Sequence, residues 1–267
     1  MTITLVVPIY NEEPFLRRCL GSIVNQTVQF DEVILVDDCS TDKSGEIARE
    51  YACENGWRLI VNLENYGLSY SRNCGFMETA LDGYIAFLDA DDEFVLGACE
   101  KMHRAIEKYP HEGFLQFNHL RHYAPINKTV RKYDNRAGVF GIKNIHDCQC
   151  WWSSWNKVIK RKALKFYYRE ELGKFGEDGV FMLEHLLQGA RIRTIDADTV
   201  IHHFENKHSL TKIKGKKELA LLDRVQREIL AEHCGVDEPF ENIAAIFKCI
   251  EASYNNTNYK AIREGRE

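Results

Sequence analysis

The sequence has little proline, no long apolar run and almost no imbalance of charge. Only 5 of its 267 residues are proline and 17 are glycine, which excludes collagen-like repeats and proline-rich disordered chains. No run of about 18 apolar residues occurs, so no membrane-spanning helix is predicted. The 35 basic and 40 acidic residues leave a net charge of −5, so nucleic-acid binding would need a local basic patch. Since 45% of the residues are hydrophobic and 28% charged, we predict an ordinary globular enzyme with a core of its own.

The cysteines do not form a disulfide or zinc-binding pattern. There are nine, an odd number, and only Cys148 and Cys150 lie close together, without the second pair of a structural zinc site. We therefore expect reduced thiols in a cytosol. The N-terminus passes straight into the apolar residues 3–7 without a basic region or cleavage site. We expect a cytoplasmic protein that is neither secreted nor membrane-spanning, with peripheral contact at the inner face of the membrane as an alternative.

The first 118 residues alternate short apolar runs with helical patterns. This alternation is typical of βαβ units and predicts an α/β fold with a mostly parallel central sheet flanked by helices. After it comes a polar, basic stretch over residues 121–136 with weak periodicity. We therefore predict a boundary near residue 118, and the last fifty residues have the pattern of two amphipathic helices.

Acidic clusters follow two of the predicted strands. Asp37 and Asp38 come after the second strand, and Asp89 and Asp91 after the fourth. In open α/β sheets, ligands bind beyond the carboxyl ends of the strands, so both clusters lie on the expected binding rim. Two carboxylates spaced i, i+2 can converge on Mg²⁺, Mn²⁺ or Ca²⁺. Taken alone, the Asp-x-Asp pair is more typical of a solvated turn than of a metal site.

Further motifs accompany these acids in a fixed order. Three of them follow strands: VPIYNE at 7–12, VDDCSTD at 36–42 and FLDADD at 87–92. This order resembles the family 2 glycosyltransferases of the GT-A fold, with their V-P-x-Y-N, V-D-D-x-S-x-D and D-x-D-D strings. RNCG at 72–75, WNK at 155–157 and GED at 176–178 are similar to later motifs of that family.

The resemblance implies an enzyme of sugar transfer with three parts: a nucleotide-sugar- and metal-binding half (1–118), an acceptor-binding and catalytic-base half (119–215) and a C-terminal helical extension (216–267). A sugar would move from a nucleotide-diphosphate sugar, in most members a uridine diphosphate (UDP) sugar, to a hydroxyl, with inversion at the anomeric carbon. A glycan or lipid-linked acceptor, a hexosyltransferase activity and a role in polysaccharide biosynthesis are the corresponding expectations. Mn²⁺ or Mg²⁺ would bridge the diphosphate. The implied metal-site residues are Asp91 as direct ligand, Asp89 on the ribose or a metal-bound water, and His203.

The donor site is expected at the ends of the first strands. Tyr10 offers a flat contact for a base, and Asp38 offers an acceptor for the imide N–H of uracil. Arg72 is a candidate phosphate partner because its guanidinium is planar and permanently charged. The residues expected to bind the nucleotide sugar are Pro8, Tyr10, Asn11, Glu12, Asp38, Arg72, Asp89 and Ala90.

The acceptor site is expected in the second half. Inversion needs one base, and by resemblance this is Asp178, with Glu177 holding the acceptor. The residues expected at the acceptor are Trp152, Trp155, Asn156 and Lys157. At helical spacing Trp151 and Trp155 would share a face, which would leave Trp152 as the exposed tryptophan. A lysine run over 207–217 could contact a diphosphate, an anionic acceptor or a membrane surface.

Other classes of protein fit less well. A sugar-phosphate nucleotidyltransferase or a dehydrogenase needs a glycine-rich loop after the first strand, where this chain has Tyr10-Asn11-Glu12-Glu13. A non-catalytic sugar- or partner-binding protein of the same fold would be expected to lack Asp91 or Asp178. A nucleic-acid-modifying glycosyltransferase would use the basic residues of 121–136, and a steep loss of activity with salt would distinguish it.

Overall fold

A computed structural model describes residues 1–123, 127–131, 135, 137–149, 152–172, 176–203, 221, 222, 224, 225, 228, 229, 231 and 232. Trp151, the lysine run of 207–217 and most of the predicted C-terminal extension lie outside the described residues. The helices are α1 (Glu13–Val24), α2 (Ser44–Asn55), α3 (Leu68–Met77), α4 (Ala98–Lys108) and α5 (Glu177–Leu187). The strands are β1 (Ile3–Ile9), β2 (Glu32–Asp37), β3 (Arg58–Val61), β4 (Tyr84–Phe87), β5 (Glu93–Phe94), β6 (Phe114–Tyr123), β7 (Lys128–Arg131), β8 (Gly138–Phe140), β9 (Lys157–Lys160) and β10 (Ile192–His203).

The described strands form one sheet in the order β3-β2-β1-β4-β9-β6-β10-β5. The first four strands along the chain are parallel, as the βαβ pattern predicts. β9 is antiparallel to both β4 and β6, whereas β6 and β10 are parallel. β7 pairs with β6, and β8 with β10. The mixed half is thus attached directly to the parallel half through the β4–β9 pair.

Alternating side chains of the buried strands supply two cores. Leu5 and Val7 of β1 face the core that contains Leu16 and Leu20 of α1, while Val6 faces the opposite core. In this second core lie α3 and α5, represented by Phe76 and Phe181. Since successive strand residues point to opposite faces, a fully apolar strand needs helices on both faces. The apolar run of β1 therefore determines a three-layer arrangement.

The structure differs from the sequence-based expectations at several boundaries. Apolar periodicity predicts helices over 68–81 and near 96–108. In the structure α3 ends at Met77, and α4 begins at Ala98, after Gly97 in a left-handed conformation (φ +76°). Within the polar stretch after residue 118, β6 and β7 pair as antiparallel strands. The predicted boundary at 118 falls inside β6, so the sheet continues across it.

Two further expectations concern cysteines and membranes. Cys19, Cys39, Cys53, Cys74, Cys99 and Cys148 are free thiols. Over the described part of the chain, no helix is both long and apolar enough to cross a membrane.

Candidate functional site

The loops after β1 and β2 are joined by the side chain of Asn11. Its Oδ1 accepts hydrogen bonds from the backbone N–H groups of Thr41 (2.7 Å) and Asp42 (3.3 Å). Asn11 itself adopts a left-handed conformation (φ +54°) and donates its N–H to Ser40 Oγ at 3.1 Å. Asn tolerates this conformation better than most residues. Asn11 thus holds the loops after β1 and β2 together at the carboxyl edge of the sheet. Its expected contact with the nucleotide sugar stays a prediction.

The Asp38 carboxylate is buried and holds the loop that leads into α3. It accepts hydrogen bonds from Asn62 Nδ2 (2.8 Å), Tyr66 N (3.0 Å) and Gly67 N (2.7 Å). The Tyr10 side chain stands just beyond β1 and is 43% exposed. An open aromatic ring can contact a base, whereas the Asp38 carboxylate already has three partners within the protein.

Pro8 lies inside β1 and ends the hydrogen bonding of this strand with β4, so the chain after β4 can leave the sheet. The carbonyl of Val6 accepts a hydrogen bond from Leu88 N at 3.1 Å. Pro8 has the same orientation in the strand as Val6 but has no N–H to donate. The β1–β4 pairing ends there, and the chain turns into Asp89, Ala90 and Asp91. Ala90 is buried, while Asp89 and Asp91 are half-buried.

One buried arginine connects the acids of the two halves. The Arg72 side chain is 1% exposed, and its guanidinium contacts Asp89 Oδ1 (2.8 Å), Glu177 Oε1 (2.9 Å) and Asp178 Oδ1 (2.6 Å). The donor-side and acceptor-side motifs therefore meet, as the motif order predicts. In this arrangement Arg72 pairs with three carboxylates, and its expected phosphate contact stays a prediction.

These acids carry more negative charge than Arg72 neutralises. Burial, with Asp178 beside it, raises the pKa of Glu177 despite the opposing effect of Arg72. Burial likewise raises the pKa of Asp89. Burial and the charges of Asp91 and Asp89 raise the pKa of Glu12 to about 8. The site is thus electrostatically suited to a cationic ligand.

Hard oxygen donors and this excess charge fit a magnesium or manganese ion. In the described residues, no group of three or more His, Cys, Asp or Glu side chains converges to form a complete metal cage. Mg²⁺ commonly takes only one or two carboxylates, with waters and substrate phosphates as the other ligands. Asp89 and Asp91 therefore match an ion that binds together with a diphosphate.

His203 lies beside this acidic loop and is engaged with Glu93. Its Nε2 is 2.9 Å from Glu93 Oε1, and its backbone N–H donates to Asp92 Oδ1 at 2.9 Å. The His202 ring nitrogen Nδ1 lies 3.0 Å from Asp92 Oδ2. Fully buried Asp92 therefore joins the loop to the end of β10. Metal binding by His203 stays a prediction.

The tryptophan segment is a turn, so the expectation of helical spacing was wrong. Trp152 and Trp155 are both half-buried and pack against opposite cores. The Trp155 ring stacks on His202, with centroids 5.3 Å apart and an interplanar angle of 7°. Helical spacing does not apply because Ser153 and Ser154 turn the chain towards β9.

Asn156 and Lys157 are fully buried beneath this turn. Lys157 Nζ donates to Asn156 Oδ1 at 3.0 Å and to the carbonyl of Ser153. Asn156 Nδ2 donates to the carbonyl of Phe117 at 3.3 Å. These contacts support the turn from inside; direct contact with an acceptor by any of the four expected residues stays a prediction.

Sequence reasoning missed two residues that contact or support Asp178. Ser154 donates through its N–H to Asp178 Oδ2 (3.2 Å) and through its hydroxyl to Oδ1 (2.9 Å). The Tyr168 hydroxyl lies 2.6 Å from Ser154 Oγ. The serine pair among tryptophans was a weak local signal, whereas nothing near Tyr168 in sequence indicated this contact.

The parallel half-sheet with an acidic cluster at its carboxyl edge defines an α/β protein whose candidate ligand site lies beyond the ends of its strands. The family model described as Glycosyl transferase family 2 matches residues 4–168. The chain therefore belongs to glycosyl transferase family 2 and is a glycosyltransferase.

Similar proteins and structures agree with this assignment. The chain is 29% identical to glycosyltransferase EpsJ of Bacillus subtilis over 86% of its own length and 68% of EpsJ. It is 28% identical to glycosyltransferase GlyA of Streptococcus pneumoniae over 95% of its own length but only 38% of GlyA. The crystal structure of Staphylococcus aureus TarS 1–349 with UDP-GlcNAc has a TM-score of 0.73 and 24% identity, covering 99% of this chain and 74% of that one. The predicted GT-A fold is confirmed.

Proposed function

We propose that the chain is an inverting, divalent-metal-dependent glycosyltransferase that moves a sugar from a UDP-sugar to a hydroxyl of a glycan or lipid-linked acceptor. The observation that carries this proposal is the Arg72 bridge between Asp89 and Asp178. This bridge supports the proposal because Asp89, a candidate metal-site residue, and Asp178, the candidate base, contact the same guanidinium. TarS has been crystallised with UDP and with UDP-GlcNAc, which supports a UDP-linked donor here.

Tyr10, Asn11 and Glu12 would form the donor side of the site. The exposed Tyr10 ring would stack on the base, while Asn11 keeps the loops after β1 and β2 in place. Asp89 and Asp91 would hold Mn²⁺ or Mg²⁺. A bound divalent ion supplies charge neutralisation for a departing diphosphate. Arg18 supports this loop, since its guanidinium donates to the carbonyl of Asp91 at 2.6 Å.

Asp178 would accept the proton of the acceptor hydroxyl. As the hydroxyl oxygen bonds to the anomeric carbon, the bond from that carbon to the diphosphate breaks and its electron pair leaves with the diphosphate. The proton goes to Asp178 Oδ2, which accepts the backbone N–H of Ser154 at 3.2 Å, whereas Oδ1 has two closer donors. One base suffices because the leaving group needs no protonation. Glu177 is 7% exposed and contacts Arg72, and through this shared guanidinium it would support Asp178.

Thermal unfolding with UDP, UDP-glucose, UDP-galactose, UDP-GlcNAc and UDP-GalNAc, with and without Mn²⁺, tests the donor and metal assignments. At 100 times Kd a ligand stabilises the protein by about 2.7 kcal/mol, which corresponds to roughly 5–10 °C for a chain of this size. We expect such a shift with at least one ligand, and only in the presence of Mn²⁺. Asp91→Asn should remove the Mn²⁺-dependent part, since the variant loses a charged ligand.

Asp82→Asn is the matched control, because Asp82 is an exposed acid in the turn before β4. It should retain the full shift. Equal shifts in Asp91→Asn and wild type would contradict the metal assignment, and the lack of any shift with all five ligands would contradict the UDP-linked donor.

A further inference from the structure

Asp178 is held by a chain of hydrogen bonds that begins at a buried tyrosine. The Tyr168 side chain is 3% exposed, and its hydroxyl lies 2.6 Å from Ser154 Oγ. Ser154 Oγ lies in turn 2.9 Å from Asp178 Oδ1. Both steps are within the range of strong O–H···O hydrogen bonds.

The direction of the two hydrogen bonds follows from the chemistry of the groups. An ionised carboxylate only accepts hydrogen bonds, so the Ser154 hydroxyl must donate to Asp178. Ser154 Oγ then has a lone pair for Tyr168, whose hydroxyl donates. Burial raises the pKa of Tyr168, which keeps its hydroxyl protonated. Tyr168 thereby fixes the rotor of Ser154, and Ser154 fixes the plane of the carboxylate.

The tyrosine ring is itself held firmly. It stacks on Phe181 of α5 with ring centroids 4.1 Å apart and an interplanar angle of 6°. With Phe87 of β4 it forms a T-shaped pair whose ring centroids lie 5.7 Å apart. Asn73 fixes the backbone of Tyr168 by accepting its N–H at 2.8 Å and donating to its carbonyl at 3.0 Å. A rigid anchor of this kind is what a positioned side chain requires from its surroundings.

We propose that Ser154 and Tyr168 are positioning residues that orient Asp178 so that Oδ2 faces the acceptor hydroxyl. Arg72 and the Ser154 hydroxyl both donate hydrogen bonds to Oδ1. Oδ2 accepts the backbone N–H of Ser154 at 3.2 Å and is therefore the oxygen better able to accept a proton. This inference rests on the proposed function, because it needs Asp178 to act as the base. It predicts that loss of the hydroxyl groups slows transfer without weakening donor binding.

The test measures UDP release, with water as acceptor, from UDP-glucose, UDP-galactose, UDP-GlcNAc and UDP-GalNAc in the presence of Mn²⁺. With the donor that wild type uses fastest, kcat and KM are determined for Tyr168→Phe, Ser154→Ala, the double variant and Asp178→Asn. Tyr168→Phe should lower kcat about 10-fold and Ser154→Ala about 30-fold, with KM for the donor unchanged. The double variant should match Ser154→Ala, since Tyr168 acts only through the Ser154 hydroxyl.

Tyr84→Phe is the matched control. Tyr84 is 2% exposed, and its hydroxyl has no hydrogen-bond partner among the described residues. Its removal should leave kcat unchanged. A Tyr168→Phe variant as active as Tyr84→Phe, or losses that multiply in the double variant, would overturn the positioning role.

The same measurements separate this inference from the proposed function. UDP release by Asp178→Asn at the wild-type rate would overturn the base assignment and the inference with it. No release by wild type with any of the four donors would contradict the proposed function itself. Thermal unfolding of each variant shows whether a loss of kcat comes from loss of the fold.

Discussion

At the scale of single residues, the site is organised by excess negative charge. Arg72 neutralises one of the three carboxylates that it contacts, and Glu12 lies close enough to Asp89 and Asp91 for their charges to affect its ionisation. A buried charge that loses its partner costs several kcal/mol, so this arrangement reduces stability unless a cation or protons compensate it. The excess negative charge therefore lowers the stability of the free protein, and under the proposed function a divalent cation would offset it.

Glu12→Gln should stabilise the metal-free protein at pH 8. The pKa of Glu12 is about 8 in the folded protein, above the ordinary value of 4.5. Between these two values the folded state holds a proton that the unfolded state has lost, so stability falls as pH rises through this window. Glutamine removes that penalty. We expect a gain of more than about 1.4 kcal/mol at pH 8, the free energy of one pKa unit, and a much smaller gain at pH 5.

Urea unfolding in the presence of a chelator checks this prediction at both pH values. Glu54→Gln, an exposed acid on α2, provides the comparison and should show no such pH dependence. A gain for Glu12→Gln that is equal at pH 5 and pH 8 would count against the proposed charge effect.

At the scale of elements, the close approach of α3 to β1 positions Arg72. Gly75 lies one turn after Arg72, and a Cβ atom placed on it would lie 2.3 Å from Val6 Cγ1 and 2.8 Å from Cγ2. The helix can therefore lie directly on the strand at this point. At the other side of the site, Gly176 adopts a left-handed conformation (φ +74°) at the start of α5, which brings Glu177 and Asp178 to the first turn.

Gly75→Ala and Gly21→Ala should change stability in opposite directions. Alanine at 75 must displace Val6 or α3, and overpacking of this kind costs about 1–3 kcal/mol. Alanine at 21, in the interior of α1, would meet only Tyr51 Oη at 4.0 Å, so it should stabilise the helix by about 0.5–1 kcal/mol. Urea unfolding measures both. A neutral Gly75→Ala would show that the close contact of α3 with β1 is not needed.

At the scale of the whole molecule, the parallel half and the mixed half belong to one continuous sheet. β4 pairs with β1 on one side and with β9 on the other, and β9 continues to β6. Arg72 adds a buried link from α3 to α5. Relative motion of the halves would have to break both the sheet and this link.

The central strands should consequently open together. In native-state hydrogen exchange, the slowest amides of β1, β4 and β9 should share one opening free energy, because unfolding either half removes hydrogen-bond partners from the other. Edge strand β3, in which no residue is fully buried, should open at lower free energy and serves as the internal comparison. Amides of β9 that exchange several kcal/mol more easily than those of β1 would indicate independent halves.

Much of this architecture was predictable because the responsible signals are local. Apolar runs separated by helical patterns predicted the parallel strands, and acids directly after strands had to lie at the carboxyl edge of the sheet. These predictions depend on residues adjacent in sequence or on the direction of a strand, and neither requires the packing to be known. That Asp178 belongs with Asp89 and Asp91 was implied by the resemblance to family 2 glycosyltransferases.

Only the tertiary structure decided how the side chains are used. Asp38 and Arg72 resembled open ligand-binding groups but have partners within the protein, and Asn156 and Lys157 lie beneath the surface. Tyr168 reaches Ser154 and Asp178 across separations of 14 and 24 residues between successive partners. Hydrogen bonds act over about 3 Å, so their partners depend on how the turn before β9, the segment before α5 and the helix itself pack together. Sequence periodicity determined the sheet and its acidic edge, and packing determined that Asp178 is held by Ser154 and Arg72.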